Sequence, residues 1–103
     1  TEPEVLILQL MRYRYDDVQQ KLEKIHNEVT SPPTLILPSG TRYSLHSVIN
    51  HIGEDTQSGH YNVIMFEAEA EKIVLLDDTS VSYIDQLEEE MKKTSYIFFY
   101  IAE

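Results

Sequence analysis

Hydrophobic and polar positions alternate with a period of two in several segments of this chain, and other segments are short continuous apolar runs; both predict strands rather than helices. The first apolar segment runs from Val5 to Tyr15. Val5 to Met11 is nearly continuous, as in a strand covered on both faces, and Arg12, Tyr13, Arg14 and Tyr15 then alternate. Asp16-Asp17 breaks the pattern, and Val18 to Lys24 reads as a polar turn or a short helical turn. Alternation resumes from Lys24 to Thr30, with Ile25, Asn27 and Val29 on one side, until Pro32-Pro33 stops it, because proline cannot donate to a sheet ladder. Thr34 to Pro38 is a short apolar stretch closed by the turn signal Pro38-Ser39-Gly40. Tyr43 to His51 alternates cleanly and reads as a strand, followed by a polar loop from Gly53 to Gly59. His60 to Glu67 and Lys72 to Leu76 form a predicted hairpin connected through Glu67 to Glu71, and Asp77 to Ser80 is a turn.

One helix is predicted, from Ser82 to Lys93. Ser82 would be its N-cap with Asp85 three positions on, and Ile84, Leu87 and Met91 make an apolar stripe. Glu88 to Glu90 precede Lys92-Lys93, the charge order a helix dipole favours. Tyr96 to Ile101 is a final apolar strand read as core. The early strands lie too close together for helical crossovers, so the sheet should be mainly antiparallel. The expected fold class is α+β, a mainly antiparallel sheet with one helix before the last strand. It would form one domain, or part of one, over residues 1–103.

Composition narrows the function. The 103 residues carry 18 acidic and 8 basic side chains, a net charge of −10, which gives no general attraction to phosphate backbones or anionic lipid. Neither nucleic acid nor membrane is expected as a partner, and no apolar run is long enough to span a bilayer or act as a secretory signal. A basic protein partner suits the charge better. Cysteine is absent, which excludes disulfides, thiolate zinc sites and a cysteine nucleophile on this chain. The chain begins at Thr1, as an excised fragment or processed product would.

The candidate chemistry lies at the ends of the predicted hairpin. His60 begins it, in the setting Ser58-Gly59-His60-Tyr61, and Asp77-Asp78 end it. A hairpin brings its ends together, so imidazole and carboxylate should be neighbours, the base and orienter of a nucleophile–His–Asp triad. A histidine and two aspartates at a turn also occur as solvated surface groups, and no serine or threonine here has a nucleophile-elbow setting. His60 with the two aspartates is the second candidate, as a divalent-ion site, but the reading adopted has no metal and no cofactor. His46 and His51 lie five apart and should face opposite sides of their strand, and His26 reads as a surface residue.

Several of these segments together resemble the C-terminal part of the catalytic domain of the ubiquitin-specific proteases, papain-like cysteine deubiquitinases. Leu8-Gln9-Leu10-Met11-Arg12-Tyr13 is similar to the family's apolar strand ending in a basic residue and an aromatic one. Lys24-Ile25 to Val29 is similar to its lysine-led strand, Tyr43 to Gly53 to the strand ahead of the active-site loop, and Ser58-Gly59-His60-Tyr61 to its most specific signature. Asp77-Asp78 with Val81, and Ser95 to Tyr100, are similar to the last two elements. The resemblance implies the palm portion of such a domain. His60 would be the general base and Asp77 its orienter, with Asp78 helping to hold the loop or the oxyanion region. His51, Gly53, Ser58, Gly59 and Tyr61 would line the channel for the ubiquitin tail.

It also implies a thiol hydrolase acting in the deubiquitination pathway, in the cytoplasm, the nucleus or both. Ubiquitin or a ubiquitin-like modifier would be the partner. The family's cysteine, its oxyanion-supporting asparagine and its zinc-ribbon cysteines have no counterpart in this chain. Ile73 and Leu76 stand near positions where the family often has tryptophan and another aromatic. The chain would therefore be the His/Asp-bearing half of a deubiquitinase, inactive alone. It would pair with the missing N-terminal half or with a copy of itself. The alternative is a ubiquitin-binding or scaffold module that does not catalyse.

Overall fold

The computed structural model describes residues 2–53, 59–67 and 72–103. Among the described residues, nine strands and one short helix follow the order β1 (Val5–Gln9), β2 (Tyr13–Asp16), β3 (Lys21–Lys24), β4 (Thr34–Ile36), β5 (Arg42–Ile52), β6 (His60–Glu67), β7 (Lys72–Asp77), β8 (Ser80–Ile84), α1 (Glu89–Thr94) and β9 (Ser95–Ala102). Six strands run across one antiparallel sheet as β1-β9-β5-β6-β7-β8, and β4 pairs with the first residues of β5. β2 and β3 form a separate hairpin. The expected class, a mainly antiparallel sheet with a helix before the last strand, is the class observed.

The core lies on one face of this sheet. Cross-strand register puts Val48 beside both Ile64 and Phe98, and Leu45 beside Tyr100. Tyr43, Val48, Phe98 and Tyr100 are the buried centre, with Leu6, Leu35 and Phe66 packed against it. The two core tyrosines spend their hydroxyls on backbone: Tyr43 donates to the Pro3 carbonyl at 2.6 Å and Tyr100 to the Pro32 carbonyl at 2.9 Å. Burial holds the Tyr100 phenol above its ordinary pKa. Ile97, Phe99 and Ile101 alternate to the other face, so the closing strand is core on one side only.

Arg12 locks the irregular segments onto that core. It is buried, and its five N–H groups donate to the carbonyls of Ser95, Ile25, Asn27 and Lys92 and to the Ser95 hydroxyl, at 2.5–3.1 Å. Burial without a carboxylate partner lowers its pKa from the ordinary arginine value. These bonds explain why the alternation from Lys24 to Thr30 is not a strand. Lys24 ends β3, and the carbonyls of Ile25 and Asn27 go to the guanidinium rather than to a ladder.

Three other expectations change. Val18 to Lys24, read as a turn or a short helical turn, is a turn as far as Gln20 and the strand β3 from Lys21. The helix is short, and Ser82 does not cap it. Ser82 pairs with Leu75 and Ile84 with Ile73, because β7 offers an open hydrogen-bonding edge that β8 fills. Helix α1 begins only at Glu89, where the acidic first turn and the basic last turn suit the dipole. Finally, β1 is not covered on both faces. It is an edge strand, and Val5, Ile7 and Leu8 are exposed. The connection from 68 to 71 lies outside the described residues. No helix among the described residues is long and apolar enough to cross a membrane.

Candidate active site

The β6–β7 hairpin does what its spacing predicts. His60 opens β6 and Asp77 closes β7, and the His60 Nε2 hydrogen-bonds the Asp77 carboxylate. Asp78 follows in the two-residue turn to β8, with φ at 51°, a left-handed conformation that aspartate tolerates. The hydrogen bond from Asp77 is the largest cause of a raised His60 pKa. The charges of Asp77 and Asp78 add to it, and desolvation opposes it. The pair is open to solvent, with side-chain exposures of 42% and 37%. One donor atom from each of His60, Asp77 and Asp78 falls within 4.8 Å of the others. That spacing would admit a divalent ion, although the imidazole nitrogen facing Asp77 is already committed to the carboxylate. With Nε2 engaged, Nδ1 is the ring atom left for an incoming group.

The residues expected along a tail channel divide into a cluster and outliers. His51 is buried near the end of β5, and its ring packs against Tyr61, Tyr96 and Tyr13 at centroid distances of 4.9, 6.2 and 6.4 Å. These four rings line one small cavity. Tyr61 leaves half of its surface exposed beside it. Gly59 has φ at 129°, and a Cβ built on it would lie 2.6 Å from the Ile52 carbonyl oxygen and 2.8 Å from the His51 Nε2. Glycine is therefore required there, by backbone conformation and by contact. Gly53 offers its carbonyl to a lysine, described next. Ser58 lies outside the described residues. His46 sits at a β-bulge, exposed, its Nδ1 3.0 Å from the Ser47 hydroxyl, and is not part of this cluster.

Sequence reasoning did not place Tyr13 or Tyr96 in the cluster, and it missed a buried cation beside them. Lys24, at the end of β3, is buried, and its ammonium donates to the His51 carbonyl at 2.9 Å, the Gly53 carbonyl at 2.5 Å and the His51 Nδ1 at 3.1 Å. The signals in the sequence were its place at the head of an alternating run and the resemblance of Lys24 to Val29 to the family's lysine-led strand.

The geometry has counterparts in known proteins. The model of the family described as Ubiquitin carboxyl-terminal hydrolase matches residues 1–100. The chain belongs to that family. It is 33% identical over 92 residues to a probable ubiquitin carboxyl-terminal hydrolase creB of Neosartorya fischeri, covering 82% of this chain and 12% of the relative. It is 30% identical over 114 residues to ubiquitin carboxyl-terminal hydrolase 9 of Saccharomyces cerevisiae, covering 95% of this chain and 15% of that one. Among solved structures it resembles a chain of the yeast SAGA DUB module, with a TM-score of 0.78 at 26% identity, covering 98% of this chain and 24% of the other. It matches the same kind of module, containing Ubp8, Sgf11, Sus1 and Sgf73 and bound to monoubiquitin, with a TM-score of 0.81 at 26% identity. The chain thus spans about an eighth of the length of the curated hydrolases it matches and about a quarter of the solved chains. It is a fragment of a ubiquitin-specific protease domain, holding histidine and aspartate and no cysteine.

Proposed function

We propose that this chain is the His/Asp-bearing half of a cysteine deubiquitinase that hydrolyses the bond after the C-terminal glycine of ubiquitin. The observation that carries the proposal is the hydrogen bond from His60 Nε2 to Asp77, in a chain that matches the hydrolase family over residues 1–100. The nucleophilic cysteine comes from elsewhere in the parent protein or from another chain, since none of the 103 residues is cysteine. Asp77 holds the ring with Nδ1 toward the nucleophile. His60 takes the thiol proton there, and the raised imidazole pKa favours the thiolate–imidazolium form. The thiolate attacks the glycine carbonyl, and the imidazolium returns the proton to the leaving amine. Asp78 adds negative charge beside the imidazolium.

His51, Gly53, Gly59 and Tyr61 form the channel wall for the ubiquitin tail in this reading; Ser58, expected with them, lies outside the described residues. The side-chain-free Gly59 and the half-exposed ring of Tyr61, backed by the buried His51, support an extended backbone there. The overall charge of −10 suits a basic tail. The exposed apolar side chains of β1 and the half-open face of β9 mark where the rest of the catalytic domain, or a second copy, covers the sheet. We place the activity in the cytoplasm, the nucleus or both, as the membership of the hydrolase family implies.

The absent cysteine favours a second reading, a ubiquitin-binding or scaffold module without catalysis. The two separate in the longest native form of the protein, reacted with ubiquitin bearing a C-terminal electrophile. An adduct that depends on His60 supports the hydrolase. A folded parent that binds ubiquitin and forms no adduct supports the scaffold.

A further inference from the structure

We propose that Lys24 is a positioning residue for His60, acting through His51 and the two ends of the loop between β5 and β6. The His51 Nδ1 lies 3.1 Å from the ammonium and 3.4 Å from the Tyr13 hydroxyl; an ammonium can only donate, so in this proposal Nδ1 accepts from Lys24 and the ring proton belongs on Nε2. The same ammonium holds the His51 and Gly53 carbonyls, fixing where the chain leaves β5. The far side of the ring touches the other end of the loop. Nε2 lies where a Cβ on Gly59 would come within 2.8 Å, and His60 is the next residue, in register with Ile52. Tyr61, Tyr96 and Tyr13 wall the ring in, so it has little room to turn. Lys24 therefore grips the loop at its start through two carbonyls and at its end through an imidazole wedge. That sets where the His60 ring meets Asp77.

The sequence separation explains why this matters. Lys24 belongs to the small β2–β3 sheet, while β5, β6 and β7 belong to the large one. The ammonium ties the hairpin of one sheet to the loop that carries the imidazole of the other. The catalytic meaning of this tie rests on the reading of His60 as the base, but the tie itself does not.

The test uses the longest native form of the protein, labelled with ¹⁵N at histidine, in wild-type, Lys24→Met and Lys24→Arg forms. In the wild type, the His51 Nδ1 resonance should be that of an unprotonated ring nitrogen and Nε2 that of a protonated one. A protonated Nδ1 overturns the proposal and needs no variant. Lys24→Met should mix the two tautomers, move the His60 titration down toward the ordinary histidine range, and lower kcat on the order of tenfold to a hundredfold. Asp77 and Asp78 face His60 from the end of β7 and its turn in all three proteins, so a shift in that titration reports the ring's position. Lys24→Arg should recover the wild-type tautomer in part. A folded Lys24→Met protein with an unchanged His51 ring and His60 titration overturns the proposal. If Lys24→Met does not fold, the wild-type ring pattern decides. A wild-type protein that shows the expected His51 ring but never reacts with ubiquitin defeats the base assignment and leaves the positioning role standing.

Discussion

Two histidines nine residues apart are put to opposite uses. His60 stands at the open end of a hairpin, partly in solvent, and its neighbours are carboxylates. His51 is buried under three tyrosines, and its neighbour is an ammonium. A carboxylate favours the charged imidazole and leaves the ring able to gain and lose a proton. An ammonium can only donate, so a ring nitrogen bonded to it has to offer a lone pair. The same side chain is thus a candidate proton carrier in one place and a fixed wedge in the other. The difference is made by the partner and by access to water, not by the imidazole.

The sharpest way to break this contrast is His60→Ala in the parent protein. Reaction with a ubiquitin electrophile should fall by roughly 10²–10⁴-fold, the usual worth of a positioned proton-transfer group. An unchanged rate would remove His60 from the base role. Next comes Gly59→Ala, which strikes the Ile52 carbonyl and the His51 ring at a residue with φ of 129°. It should cost about 1–3 kcal/mol in urea unfolding, from backbone strain and the forced shift of its neighbours. A variant as stable as wild type would mean that the loop and His51 are not in contact. The same clash means that Gly59→Val would disturb the loop as well as fill a tail channel.

Asp77→Asn sharpens the contrast by removing the charge that distinguishes His60. The His60 titration should move down, read by NMR against pH. The sign for stability follows from the raised folded pKa. The stabilising contribution of the pair is complete below the unfolded value near 6.5 and fades as pH rises through the folded value. Asp77→Asn should flatten that fade. Identical curves for wild type and variant would show that the pair does not form. Asp78→Asn should move the His60 titration in the same direction and by less, since its charge is the weakest of the causes that raise it. A larger effect than Asp77→Asn would reverse the assignment of orienter and helper.

The His60–Asp77 pair was legible from spacing because only local structure is needed. Two alternating strands joined by a short connection return the chain to its starting end. Strands β5 and β6 were legible from their period-two pattern, and β7 and β9 from short apolar runs beside turn or helix signals. Strand β3 was not, since its burial runs exposed, exposed, exposed, buried and leaves no alternation to read. Nor was β8. Ser82 fits an N-cap and Ile84, Leu87 and Met91 a helical stripe, and only the free edge of β7 makes Ser82 and Ile84 strand. The run from Lys24 to Thr30 failed in the opposite sense. Its alternation is real, but the guanidinium of Arg12 takes the carbonyls that a ladder would need.

The sequence by itself determined the antiparallel class, the hairpin that pairs His60 with Asp77, the absence of a nucleophilic cysteine and the likeness to a hydrolase family. Those follow from patterns only a few residues long, or from residue types that are present or missing. The tertiary structure alone decided that Lys24 and Arg12 are buried and where their donors go. Each reaches acceptors on strands far along the chain, 27 residues away for Lys24 and as many as 83 for Arg12. A buried cation must find every acceptor it needs within hydrogen-bond reach, and only the folded arrangement of distant strands can bring them there.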